Sequence, residues 1–313
     1  MDQIAKYTVK NSKVVVCLTL LCFVCDFGYA QDIEPRRWSS LPLKSNIFGA
    51  GYAYTFGELL FDPVLETQDV TLSINTIVLS YVKPFKIGNK QSRLDIVLPY
   101  SWQLFEGLLQ GEPASVYRNG FGDTRIRFSI NFSGAPPGTA TEQMEYAKNN
   151  PVNTTFGASI SVTLPTGQYF EEKLINIGQN QVVFRPQIGM VHNWRSWSYE
   201  LTGSIFIFTN NNNFFGGNTR QQDPIFAAQT HLIKRFSSKI WASISASYGL
   251  GGESEVDGVS RSDFRTNFLS ALSVGTKITK FASIKFTYLN SATLKDVGSN
   301  TNSFILGCSY LIL

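Results

Sequence analysis

Residues 121–133 read FGDTRIRFSINFS. Ile126, Phe128, Ile130 and Phe132 alternate with Asp123, Arg125, Arg127, Ser129 and Asn131. Period two puts these two sets on opposite faces of a β-strand. A charged side chain at the lipid midplane of a barrel costs roughly 2–4 kcal/mol for Arg or Lys. Two arginines on one face therefore mark that face as the inside. The pattern recurs twelve times, over residues 46–56, 70–83, 92–105, 121–133, 153–165, 181–193, 198–209, 224–236, 240–251, 264–277, 281–290 and 301–313. Each run is long enough to cross a bilayer as a tilted strand, which takes about 9–11 residues.

The links sort by length. Short polar ones cover 86–91 (with Gly88-Asn89), 194–197, 237–239 and 278–280, and longer ones cover 57–69, 106–120, 166–180, 210–223, 252–263 and 291–300. Transmembrane barrels have short periplasmic turns and longer outer loops. The expected fold is thus all-β, a transmembrane antiparallel barrel of about 12 strands with both termini periplasmic. One link breaks the rule: residues 134–152 are long but fall on the periplasmic side. Within it, 141–148 (TEQMEYAK) has helical character with Thr139 or Thr141 as cap. Two readings stay open for it, a plain surface loop or a small plug or docking element.

Residues 1–30 have the parts of a cleaved secretory signal: Lys6, Lys10 and Lys13, an apolar core over 14–24, and Gly28-Tyr29-Ala30. That core is too short to span a bilayer as a helix, which needs about 20 residues. The expected division is a signal peptide at 1–30, a periplasmic N-terminal segment at 31–45 and the barrel at 46–313. The expected location is the Gram-negative outer membrane, with its lipid as a partner. Gly307, Tyr310 and Ile312 have the spacing of the C-terminal signal read by the outer-membrane insertion machinery, although the chain ends in Leu313 rather than Phe.

Charged residues make up 16% and aromatics 13%, with a mean hydropathy of −0.04, which suits a greasy outside around a polar inside. Net charge is +4, falling to +3 without the leader, and no Lys/Arg run suggests nucleic acid. Cys17, Cys22 and Cys25 leave with the leader and Cys308 stays alone, so no internal disulfide or thiolate metal site is expected.

Parity assigns Arg93, Asp95, Asp123, Arg125, Arg127, Arg185, Gln187, Glu200, Gln229, His231, Arg235 and Lys285 to the lumen wall. Arg93 or Arg125 with Asp95 or Asp123 would form a cross-strand ladder. Such charges either brace and hydrate the lumen or select permeants, and the basic excess would favour anionic groups. Ile77, Leu79, Leu269 and Ala271 break the alternation, which suggests a bulge or a slip of one residue. Tyr52, Tyr54, Tyr100, Trp102, Trp194, Trp197, Tyr199, Trp241 and Tyr248 fall near strand ends, as girdle aromatics do. Two apolar pairs in outer loops, Phe214-Phe215 and Leu108-Leu109, are candidates for an outer gate.

The chain has two histidines. His192 falls on lipid parity with no evident Ser partner, so no catalytic dyad of the outer-membrane phospholipase kind is expected. No cofactor motif or metal-ligand cluster is present in the sequence. The expectation is that the protein is not an enzyme.

Several motifs carry a family resemblance. Gly111-Glu112-Pro113-Ala114, Arg118-Asn119-Gly120-Phe121-Gly122-Asp123, Arg125-Ile126-Arg127-Phe128-Ser129 and Gly134-Ala135-Pro136 are among them. Leu164-Pro165-Thr166-Gly167, Asn176-Ile177-Gly178-Gln179-Asn180, Trp197-Ser198-Tyr199-Glu200 and Phe214-Phe215-Gly216-Gly217-Asn218 continue it. Together they resemble the outer-membrane transporter family labelled "putative MetA-pathway of phenol degradation", over essentially residues 34–313. Thr124 stands where that family often has Pro. The resemblance implies an outer-membrane barrel, often a transporter, with some relatives encoded beside aromatic-degradation enzymes, and no catalytic residues. The function expected from all this is passive uptake of small, aromatic or otherwise apolar solutes through a narrow polar lumen gated by outer loops. The competing expectation is a non-transporting structural or surface-binding barrel.

Overall fold

The computed structural model describes residues 33–60, 67–295 and 297–312, so the expected leader and Leu313 lie outside the described residues. The described strands are β1 (Asn46–Leu60), β2 (Thr67–Ile87), β3 (Lys90–Leu109), β4 (Glu112–Phe121), β5 (Thr124–Ser133), β6 (Val152–Leu164), β7 (Val183–Trp194), β8 (Trp197–Phe208), β9 (Asn211–Phe214), β10 (Asn218–Gln222), β11 (Ile225–Arg235), β12 (Ile240–Gly251), β13 (Ser254–Val256), β14 (Val259–Ser260), β15 (Arg265–Lys277), β16 (Ala282–Thr293) and β17 (Gly298–Ile312). One helix, α1 (Ala140–Asn149), lies between β5 and β6.

The wall is a closed antiparallel barrel of twelve strands. β1 pairs with β17 on one side (Asn46 opposite Ile312) and with β2 on the other, and β2 pairs with β3, leaving no open edge. Closure gives every wall strand a partner for its backbone N–H and C=O groups, which hydrocarbon cannot supply. β4 and β5 are two pieces of one wall strand, broken at Gly122-Asp123. β5 pairs with β3 over Gln91–Val97, and β4 pairs with β3 over Tyr100–Leu109. The stretch 106–120 is therefore a continued β3–β4 hairpin, not the irregular loop expected from the sequence. β9, β10, β13 and β14 form a small separate sheet at the long-loop end.

Burial follows parity. On β12, Ile244 is 65% exposed and the next residue, Ser245, 2%. The expected slips are absent: β1–β2 pairs without interruption from Ile47 to Glu58, and β12–β15–β16 is continuous past Leu269 and Ala271. Ile77 and Leu79 face outward while Leu72 and Ile74 are buried in the lumen. The apolar residues of β2 thus change faces partway along an unbroken strand. The cause is an apolar cluster of the lumen towards the long-loop end, not a bulge.

Paired rings run around the outside, tilted in Tyr52–Trp102, edge-on in Tyr100–Phe121 and stacked in Trp194–Trp197. Trp241 departs from the girdle expectation. It has lumen parity, fills the space a Cβ on Gly275 would need (2.4 Å), and lies under the Arg36 guanidinium at 5.3 Å.

Helix α1 confirms the helical reading of the long link. Thr139 caps it in a reciprocal box with Glu142. Leu43 N–H donates to Gly138 O and Gln143 Nε2 to Leu41 O, which joins this link to the N-terminal segment.

The N-terminal segment, expected as a periplasmic stretch, is bonded to the inner wall from Glu34 to about Leu41 and forms a plug inside the barrel. Gln91 of β3 donates to Leu41 O, Thr202 of β8 accepts from Trp38, and Glu200 of β8 accepts from two of its backbone N–H groups.

Candidate functional site: the barrel lumen

The plug is anchored by one aromatic. Trp38 is 1% exposed and its Nε1 donates to Thr202 Oγ1 at 2.7 Å. Gly157 (β6) and Gly189 (β7) make the room: a Cβ on either would lie 2.6 and 2.3 Å from the indole. Glycine inside a strand often marks close approach of another group. Arg36 and Arg37 N–H both donate to Glu200 Oε2, at 2.7 and 3.1 Å.

One turn before Trp38, Glu34 reaches the charged wall. Arg127 grips its carboxylate with both terminal nitrogens, Nη2 to Oε1 at 2.8 Å and Nη1 to Oε2. Arg125 Nη2 lies 3.5 Å from Oε1, and Arg37 Nε 3.8 Å from Oε2. Arg93, Arg185, Lys285 and His231 are close enough to feel the same charge. Asp95 accepts from Arg37 Nη1 at 2.9 Å and pairs with Arg93 at 3.1 Å. Buried charges persist only when paired and hydrogen-bonded, and Glu34 brings the carboxylate that the wall arginines converge on.

Most predicted lumen residues sit where parity put them. Arg93, Asp95, Arg125, Arg127, Arg185 and Lys285 surround Glu34. Gln187 accepts from Ser159, His231 pairs with Ser245 at 2.8 Å, Gln229 is buried, and Glu200 holds the plug. Three points need correction. The ladder is not as drawn, because Arg93 meets Asp95 on its own strand and Arg125 turns to Glu34. Arg235 is exposed at the short-turn end, donating to Arg195 O. Asp123 sits at the break between β4 and β5, and its bonds go to the segment 165–182 rather than to a neighbouring wall arginine.

Asp123 instead clasps the segment 165–182. Its Oδ1 accepts from Gly167 N–H and its Oδ2 from Gln179 N–H, both at 2.8 Å. Gly167 and Gly178 are pressed together, so that a Cβ on Gly167 would lie 2.7 Å from Asp123 and 2.8 Å from Gly178. GFGD therefore meets LPTG and NIGQN, from more than forty residues along the chain, at one carboxylate.

The clasped segment carries Ile175 into the barrel. Ile175 is buried with Leu59, Leu72, Ile74 and Phe105, and Leu174, Val70 and Val116 pack against them. Across the lumen, Val183, Phe206, Ile225 and Ala227 form a second apolar cluster. Arg185 lies over the Phe206 ring at 4.3 Å and so joins the apolar level to the charged one. The expected lumen was polar; towards the long-loop end it carries these two apolar clusters, with polar residues such as Gln103 and Gln181 buried at the same end.

The two apolar pairs expected as an outer gate lie at hairpin tips at the long-loop end. Leu108 and Leu109 stand at the tip of the β3–β4 hairpin. Phe214 and Phe215 stand at the tip of β9–β10, where Gly216 N–H donates to Glu171 O and Tyr169 Oη to Asn213 O. The β9–β10 tip thus touches the clasped segment, whose Ile175 is the residue buried in the barrel. Sequence reasoning missed Glu34, Trp38 and Ile175. Mid-strand Gly157 and Gly189 on lumen parity were the available signal for the plug.

The fold is that of outer-membrane barrel proteins. Residues 46–300 match the model of the family described as "Putative MetA-pathway of phenol degradation", and the chain belongs to that family. It is similar in fold to the COG4313 outer membrane channel from Pseudomonas putida F1, with a TM-score of 0.75 and 17% identity over 90% of this chain and 100% of that one. The transport unit of the autotransporter AIDA-I from Escherichia coli (TM-score 0.45, 12% identity, 96% and 98% covered) and a Pseudomonas aeruginosa FadL homologue (0.42, 8%, 85% and 90%) are more distant barrels. No curated protein matches the chain.

Proposed function

We propose that this barrel is an outer-membrane channel for passive uptake of small apolar solutes, aromatic ones included. The short-turn end, the plug and helix α1 face the periplasm, and the segment 165–182 is the outer gate. The observation that carries the reading is the pair of apolar clusters inside the barrel, one around Ile175 and one around Phe206. Barrel interiors are polar by default, so buried Leu59, Leu72, Ile74, Phe105, Val183, Phe206 and Ile225 on the inside mark a place where an apolar solute replaces water favourably. We assign the chain no catalytic step. The competing reading is a closed barrel that transports nothing, favoured by occlusion at both ends. Planar-bilayer conductance of the refolded protein, with solute uptake by a deletion strain, separates them. Absence of current together with undiminished uptake would end the channel reading.

A further inference from the structure

We propose that the arginine cluster around Glu34 is a binding site for the carboxylate of a small organic acid, and that Glu34 is its built-in competitor. This rests on the channel reading and narrows it from apolar solutes to amphipathic anions. Three features of the lumen combine. First, a tethered carboxylate already occupies the site: Arg127 binds it in the two-point fork that guanidinium offers a carboxylate, with Arg125 and Arg37 beside it. Second, among the described residues the cations of the cluster (Arg37, Arg93, Arg125, Arg127, Arg185 and Lys285) outnumber the carboxylates Glu34, Asp95 and Glu200. Third, an apolar cluster of the lumen (Val183, Phe206, Ile225, Ala227) adjoins it through Arg185 on Phe206, and its side chains are the apolar surface that a ligand's body would pack against. A molecule with a carboxylate at the arginines and an apolar body against these side chains matches both levels at once.

Glu34 belongs to a short segment held by side-chain contacts rather than by a strand ladder, so it can leave as a unit. A solute carboxylate arriving from the side of the apolar cluster takes over the same fork. Glu34 then loses the bond that holds the plug at this level. The ligand's binding and the plug's release are two sides of one exchange, so each weakens the other's hold on the arginines.

The test is calorimetric binding of benzoate, benzyl alcohol and acetate to the refolded full-length barrel in detergent, with heat-modifiable gel mobility as the check on folding. Glu34→Gln removes the competing charge. The expected result is that benzoate binds this variant at least about tenfold more tightly than the native barrel, with the gain shrinking as salt is raised. Benzyl alcohol, which has the ring without the charge, gains little, and acetate, which has the charge without the ring, binds more weakly than benzoate. Equal benzoate affinity in the folded variant and the native barrel overturns the proposal. So does an equal gain for benzyl alcohol, which would mean that Glu34→Gln only loosens the plug. Arg127→Gln in the Glu34→Gln background should abolish the gain. If that double variant does not fold, the three-ligand comparison on the single variant still decides. Binding without flux would sink the channel reading and leave the site standing, whereas flux without the Glu34 effect would do the reverse.

Discussion

Trp38 and Gly189 are a matched pair: the indole of the N-terminal segment occupies the volume that any side chain on this β7 residue would need, with Nε1 2.3 Å from the missing Cβ. A mid-strand glycine thus records a partner more than a hundred residues away. Gly189→Leu should evict Trp38 and unplug the barrel without breaking its wall. Loss of a buried Trp contact is worth about 3–5 kcal/mol, enough to reverse a plugged-to-open ratio at tenfold per 1.4 kcal/mol. Single-channel recording should show a larger and longer-lived conductance; unchanged current with the indole still buried would refute it.

Arg125→Glu with Arg127→Glu should expel Glu34 by like-charge repulsion and turn the lumen from anion- to cation-preferring. Reversal potentials in asymmetric KCl read this directly. An unchanged reversal potential in a conducting double variant would reduce both arginines to struts.

Asp123→Ala leaves two backbone donors, Gly167 N–H and Gln179 N–H, without their acceptor. Each such loss costs roughly 1–3 kcal/mol. Segment 165–182 should become cleavable by added protease while the barrel stays resistant. Ile175→Asp should have the same effect from the other direction, by placing a charge among Leu59, Leu72 and Phe105. Equal protection of both variants and the native chain would show that the clasp does not hold the segment.

Helix α1 supplies a pH test outside the membrane. Hydrogen bonds from the Thr139 backbone and side chain hold the Glu142 carboxyl below its ordinary 4.5. A depressed carboxyl stabilises the folded form above that ordinary value, and the contribution is lost as pH falls through the folded one. Carboxyl NMR of Glu142 should therefore titrate below 4.5, and Thr139→Ala should return it upward; coincident titrations would show that the box is not formed.

The wall was legible because parity and arginine placement both report which side of a strand meets lipid, as in Arg125-Ile126-Arg127-Phe128. Helix α1 was legible from its cap. The plug was not, since Glu34-Pro35-Arg36-Arg37-Trp38 has no period and draws its meaning from residues on β3, β5, β7 and β8. The apolar cluster around Ile175 was written in β2 but misread: Leu72 and Ile74 against Ile77 and Leu79 look like a slipped register when only one face is assumed to be apolar. The role of Asp123 was not legible because the strand breaks beside it and its partners, Gly167 and Gln179, lie on another segment.

The plug also implies an order of events. Glu34 finds Arg127 across 93 residues and Arg36 finds Glu200 across 164, so neither contact exists until the intervening strands have closed around it. The earliest described stretch of the chain should settle last. In refolding followed by time, mobility on a gel should reach its final value before the Trp38 indole is shielded from an aqueous quencher. The barrel would then pass through a short youth as an open pore, sealed by its own beginning.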